Sequence, residues 1–192
     1  SQVPASCNGS CDGTATALAS GGTPPYSYQW NDPGTQTTQT ATGLCAGTYG
    51  LTVIDSNGCT KTSSAIITQP AVIGLITSAV NAHCGLSDGS ASVTATGGNG
   101  LYGYLWNDPS AQNTATAINL VAGTYTVAVT DIKGCTANAT VTLNDLPPGT
   151  ATIVNTVNVS CNGGNNGSAT VSMSGGTLPF TYLWAGPGAQ TT

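Results

Sequence analysis

The chain has 192 residues and contains no glutamate and no arginine; it has two lysines, Lys61 and Lys133, and a single histidine, His83. Only 5% of its residues are charged. Without these side chains it cannot assemble a pair of catalytic glutamates, an arginine clamp or a histidine-based triad with supporting charges. No enzymatic activity is therefore expected. Two cations against seven aspartates give a net charge of −5, which excludes nucleic acid as a partner, because each neutralised phosphate needs a cation. Long hydrophobic runs are missing too. The stretch AVIGLI at 71–76 falls far short of the ~20 residues that span a bilayer, so no membrane insertion of this segment is expected.

What the sequence does hold is 26 glycines, abundant Ser and Thr, and 39% hydrophobic residues including three Trp and seven Tyr. That is enough apolar surface to fold, and the mixture favours short strands joined by turns.

The chain is internally repeated. Cys7, Cys84 and Cys161 are 77 residues apart, and the pairs Gly21-Gly22, Gly97-Gly98 and Gly175-Gly176 recur with Trp30, Trp106 and Trp184 at intervals of 76 and then 78. The segment GTY at 47–49 returns at 123–125, and Gly-Cys at 58–59 returns at 134–135. A period of about 77 residues suits a small autonomous β-domain rather than a solenoid turn. The expected domains are 1–69, 70–147 and 148–192. The third lacks the GTY strand and the closing Gly-Cys, which are expected to lie beyond Thr192.

Period-2 alternation predicts strands over SASVTAT (90–96), LYGYLW (101–106) and GTYTVAVTD (123–131), with further strands over NTATAINL, Cys135 to Leu143 and 151–158. No helix is predicted. Six or seven antiparallel strands per copy predict an all-β chain of tandem immunoglobulin-like β-sandwiches joined by short proline-containing linkers at 67–72 and 143–149. Trp30, Trp106 and Trp184 are expected in the core, with Tyr49 and Tyr125 placed as tyrosine corners.

The string CNG…DG-x-A-T…GGTPPYSYQW…TATGLCAGTYGLTVIDSNGC…ITQP resembles the SprB-type repeat of giant surface adhesins from gliding bacteria. The likeness runs from Cys7 to Pro70, from Cys84 to Thr142, and onward from CNGGNNGSATVSMSGG. The GG-x-PPY-x-Y-x-W element also resembles the polycystic-kidney-disease (PKD) type of immunoglobulin-like module. The second copy departs from the pattern with HCGLSDG and GGNGLYGY, and the third with AGP for NDP. The resemblance implies a secreted cell-surface filament, exported by the type IX route and moved along the outer surface in gliding. The expected partners are further repeats of the same chain, with lateral self-association into a filament and a surface polysaccharide or solid surface as target. The alternative is a carbohydrate-binding or stalk module of another secreted protein.

Seven cysteines with no CxxC pair indicate disulfides in an oxidising compartment. The closing and opening cysteines come and go together, which pairs Cys7 with Cys59 and Cys84 with Cys135. Two extras in the first copy, Cys11 and Cys45, form a second bridge, and the partner of Cys161 is expected beyond Thr192. One objection stands against same-repeat pairing: in a sandwich the first turn and the last hairpin lie at opposite ends. The cross-border alternative is Cys59 with Cys84 and Cys135 with Cys161.

Tyr26, Tyr28 and Trp30, with Phe180, Tyr182 and Trp184, form either a sandwich core or a sugar-stacking platform, the core being favoured. No cofactor is expected. The spacing of CNGSC at 7–11 allows a zinc knuckle only on paper, disulfides being the better fit, and for calcium Asp12 and Asp32 with Asn8 and Asn31 are the candidate ligands. Asp and Asn are also ordinary turn residues.

Overall fold

A computed structural model of the chain describes residues 1–185 and 190–191. The chain falls into two units: Ser1–Ser78, Ser92–Ala115 and Tyr125–Thr140 in the first, and Ala79–Ala91, Thr116–Thr124 and Val141–Thr192 in the second.

In the first unit the alternating segments of the first repeat form β1 (Gln2–Val3), β2 (Gly13–Thr16), β3 (Ser27–Trp30), β4 (Thr40–Leu44), β5 (Gly47–Ile54) and β6 (Thr60–Ile67). They make two three-stranded sheets, β1-β2-β4 and β3-β5-β6. This strand order is that of an immunoglobulin-like sandwich, A-B-E against C-F-G. β5 and β6 pair antiparallel along their full length, from Gly47↔Ile67 to Ile54↔Thr60. The inward positions form one core of Ala15, Ala17, Trp30, Ala41, Leu44, Leu51, Ala65 and Ile67, with Tyr28, Tyr49 and Val53 packed against it. Gly13 opens β2 because nothing larger fits: a Cβ there would lie 2.6 Å from Ile67 Cγ2 and 2.9 Å from the Leu44 carbonyl.

The second repeat supplies β7 (Ala71–Val80), β8 (Ala82–His83), β9 (Gly89–Gly98), β10 (Gly103–Trp106), β11 (Thr116–Leu120), β12 (Gly123–Thr130) and β13 (Thr136–Leu143). Its sheet orders, β11-β9-β7 and β10-β12-β13, reproduce the first repeat. The part in the first unit pairs Gly103–Trp106 with Thr130–Val127 and buries Val93, Trp106, Val127 and Val129.

The second unit buries Ala82, Ala91, Ala117, Leu120, Val141 and Leu143. In it β14 (Asp145–Leu146) runs parallel to β8, β15 (Thr150–Val157) pairs with β16 (Ser168–Ser174), and β17 (Leu183–Trp184) pairs with β18 (Gln190–Thr191). Trp184 is half-buried, unlike its counterparts Trp30 at 3% and Trp106 at 1% exposure. The expected core position is thus only partly covered: Trp30 is paired with Leu51 of β5 beside it in the sheet, and no equivalent of β5 occurs among the described residues of the third repeat. Residues 186–189 and 192 lie outside the described residues. No helix of the described residues is long and apolar enough to cross a membrane.

Candidate functional site: a disulfide strap between repeats

The tight turn after β1 presents Cys7. The Ser10 N–H donates to the Cys7 carbonyl at 3.1 Å, and the Ser6 N–H donates to Asp12 Oδ1 at 2.9 Å. Asn8 and Gly9 then tie this loop to the chain leaving β6. Asn8 Nδ2 donates to the Pro70 carbonyl at 3.0 Å, and the Gly9 N–H to Gln69 Oε1 at 2.7 Å.

Cys135 ends the hairpin between β12 and β13, which is organised by Asp131. Asp131 Oδ1 accepts from the N–H groups of Lys133 and Cys135, and Oδ2 from the backbone and side-chain N–H groups of Asn99. Burial alone would raise the Asp131 carboxyl. The donors from Asn99, Cys135 and Lys133 outweigh it and hold the pKa at about 2. Asn99 Nδ2 also donates to the Ser6 carbonyl at 2.9 Å, which brings this hairpin beside the Cys7 loop.

There Cys7 is bonded to Cys135, with Cα atoms 5.6 Å apart and a sequence separation of 128. A second bridge joins Cys11 to Cys45. These flank the paired ends of β2 and β4, where Gly13 faces Leu44. Cys59, Cys84 and Cys161 are exposed and unbonded.

The pairings Cys7 with Cys59 and Cys84 with Cys135 are therefore corrected. β6 accounts for the first. Cys59 immediately precedes this eight-residue strand and the Cys7 loop sits just past its far end, on Thr68, Gln69 and Pro70. Eight residues of strand span roughly 26 Å, whereas bridged Cα atoms lie within about 7 Å. The two cross-border bonds weighed as the alternative, Cys59 with Cys84 and Cys135 with Cys161, are also absent. The observed bond links the opening cysteine of one repeat to the closing cysteine of the next.

The remaining candidates are structural in their geometry. Trp30 Nε1 donates to the Thr38 carbonyl at 3.0 Å and Trp106 Nε1 to the Thr114 carbonyl at 2.9 Å. With both of these indoles buried, the stripe offers no open stacking face at Trp30 or Trp106, while Tyr26, Tyr28, Phe180, Tyr182 and Trp184 are half-buried. Tyr49 Oη donates to the Cys45 carbonyl four residues upstream, the geometry of a tyrosine corner; Tyr125 is buried at the equivalent place. Asp32 accepts from the N–H groups of Gly34 and Gln36 and from Gln36 Nε2. The Gln36 amide holds the Asp32 carboxyl below the ordinary carboxylate value against the opposing effect of burial. Asp12 is held low by Ser6. These oxygens already serve as acceptors for N–H groups. Among the described residues no three His, Cys, Asp or Glu side chains gather as a metal site.

Sequence reasoning passed over Asn99 and the turn-holding aspartates Asp55, Asp108 and Asp131. The signal was present: N-D-P-x-x-Q occurs at 31–36 and D-x-x-G-C at 55–59, and both return 76 residues later. Asp108 accepts from Ser110 and Gln112 as Asp32 does from Gly34 and Gln36.

This pattern sets an acid limit. Asp12, Asp32, Asp55, Asp88, Asp108 and Asp131 all have pKa values lowered from 3.8. A depressed folded-state pKa contributes stability that is fully present above the unfolded value and lost as pH falls through the folded one. Thermal unfolding followed across pH should give a Tm that falls between pH 3.8 and about 2, the window set by Asp131. Added salt should move this fall little, because the partners are mostly N–H groups rather than cations. A Tm that rises on acidification through this window would refute the assignment.

The SprB repeat model matches residues 1–35, 76–111 and 153–189, together more than half of the sequence. The chain belongs to the SprB-repeat family. Each matched SprB segment begins ahead of an opening cysteine and takes in the strand carrying its tryptophan. No curated protein matches the chain. Solved structures similar to these SprB repeats include an amphioxus IgVJ-C2 molecule, at 13% identity over 68% of this chain and 94% of that one, with a TM-score of 0.33. The complex of Dpr11 IG1 bound to DIP-gamma IG+IG2 matches at 14% identity over 74% and 92%, TM-score 0.33. Immunoglobulin domains 1–5 of Sidekick-1 match at 14% identity over 76% and 39%, TM-score 0.27.

Proposed function

We propose that this chain is a structural, load-bearing segment of a long extracellular cell-surface adhesin filament, of the kind used for surface attachment and gliding. The observation that supports this reading best is the Cys7–Cys135 bond, which ties one SprB repeat to the next. A disulfide of this kind persists in an oxidising, extracellular setting. The three copies, 1–69, 70–147 and 148–192, act as beads in series, and their partners are further repeats of the same chain. The low charge and the absence of Glu and Arg suit a spacer rather than a catalyst.

Two measurements test the reading together. Antibodies against residues 1–192 should label intact cells that produce the protein, and a glycan array probed with the chain should stay at background. Specific glycan binding would move the assignment to a carbohydrate-binding module, and labelling only after cell lysis would exclude a surface filament.

A further inference from the structure

The chain contains the strap's closing hairpin twice, once bonded and once not. Asp55 organises the hairpin before Cys59 as Asp131 organises the one before Cys135: Asp55 Oδ1 accepts from the N–H groups of Asn57 at 3.0 Å and Cys59 at 2.8 Å. The equivalent bonds to Asp131 Oδ1 come from Lys133 at 2.8 Å and Cys135 at 3.0 Å. Gly58 and Gly134 have closely matched φ values of 82° and 83°. Cys59 is thus presented as Cys135 is, but exposed and unbonded.

The surroundings of the two hairpins differ by one strand. In the second repeat the start of β7 lies against Gly97 and Gly98. A Cβ on Gly98 would be 2.8 Å from Ile73 Cγ1, and the nearest group to one on Gly97 would be the Val72 carbonyl. Thr96 Oγ1 also donates to the Gly74 carbonyl at 3.4 Å. In the first repeat a Cβ on Gly21 would meet nothing within 4 Å, and the atoms nearest to one on Gly22 would be those of Asp55. Where β7 would lie there is instead a groove of about 610 Å³, lined among others by Ala15, Ala17, Trp30, Leu51, Val53 and Cys59.

The strap's opening loop also occurs unbonded. The Ser160 N–H donates to Asn166 Oδ1 at 3.0 Å as the Ser6 N–H donates to Asp12 at 2.9 Å, and Gly163 has a φ of 80° against 79° for Gly9. Cys161 therefore occupies the same turn as Cys7.

We propose that the Cys59 end of the first repeat is a docking seat for another repeat of this kind, whose outgoing strand fills the groove and whose opening cysteine bonds to Cys59. The proposal rests on the structural-array reading above. The occupant is another SprB repeat because the same seat in the second repeat is filled by the chain that leaves the first and by the first repeat's own cysteine: the start of β7, directly after Pro70, takes the edge, as strand addition requires, and Cys7 takes the sulfur. In the closing step the two thiols lose two protons and two electrons to form one disulfide, and a disulfide oxidant such as glutathione disulfide is reduced to two thiols.

The test adds a second copy of residues 1–77, carrying Cys59→Ser, ahead of Ser1 of the full chain, so that the junction copies the natural Thr77–Ser78 step. The fusion is refolded in glutathione buffer and mapped by non-reducing peptide analysis; the two Cys7 peptides differ in mass because the internal one continues upstream into the added copy. The expected result is a bond from Cys7 of the added copy to Cys59, with loss of Cys59 alkylation by iodoacetamide. Replacing Cys7 of the added copy by serine should restore that alkylation. An alkylatable Cys59 in the parent fusion alongside an intact Cys7–Cys135 bond would overturn the docking seat alone. Absence of both bonds would overturn the array reading with it.

Discussion

Replacing Trp30 by alanine should destabilise the first repeat by about 3–5 kcal/mol, at the upper end for a single core truncation. The indole is 3% exposed, and several of its core neighbours are too short to move into the space it would leave: Ala15 and Ala41 are fully buried and Ala65 nearly so. Leu44, Leu51 and Ile67 are fixed on strands and cannot close the cavity without shifting backbone. The bond from Nε1 to the Thr38 carbonyl would be lost with the ring. Trp30→Phe should cost much less, because a ring remains and the main loss is one hydrogen bond, worth about 1 kcal/mol. Denaturant unfolding followed by far-UV circular dichroism measures both. Equal, small losses for the two variants would mean that Trp30 lies outside the core.

The core was legible because a period-2 pattern fixes which side chains share a face. Trp30, Trp106, Tyr49 and Tyr125 could be placed from the alternation of their neighbours and the L-x-A-G-T-Y segment alone. The edges of strands were less so. LYGYLW reads as a strand from Leu101, but Leu101 has a φ of 51°, and β10 begins only at Gly103.

Disulfide pairing was legible only in part. Cys11 and Cys45 appear in one copy and not the other, so composition alone indicated their bond. The partner of Cys7 was not readable, because counting cysteines within a repeat cannot show that β6 separates Cys59 from the Cys7 loop. The objection that a sandwich puts these turns at opposite ends was the correct physical clue. Asn99 was hidden for another reason: it stands where the first repeat has Thr23, and its bond to the Ser6 carbonyl exists only because a neighbouring repeat is there to accept it.

Single-molecule pulling between the two ends of the chain, with and without reductant, addresses the strap itself. The loop closed by Cys7 and Cys135, a sequence separation of 128, lies outside the load path while the bond is intact. An extended chain spans at most ~3.3–3.6 Å per residue, so reduction should add about 450 Å to the final contour length. The Cys11–Cys45 bridge lies inside the protected stretch and should add nothing separate. The strap thus predicts one long gain released by reduction. Equal contour lengths in both conditions would contradict it, as would two independent gains of about 180 Å each, the length that bonds from Cys7 to Cys59 and from Cys84 to Cys135 would release.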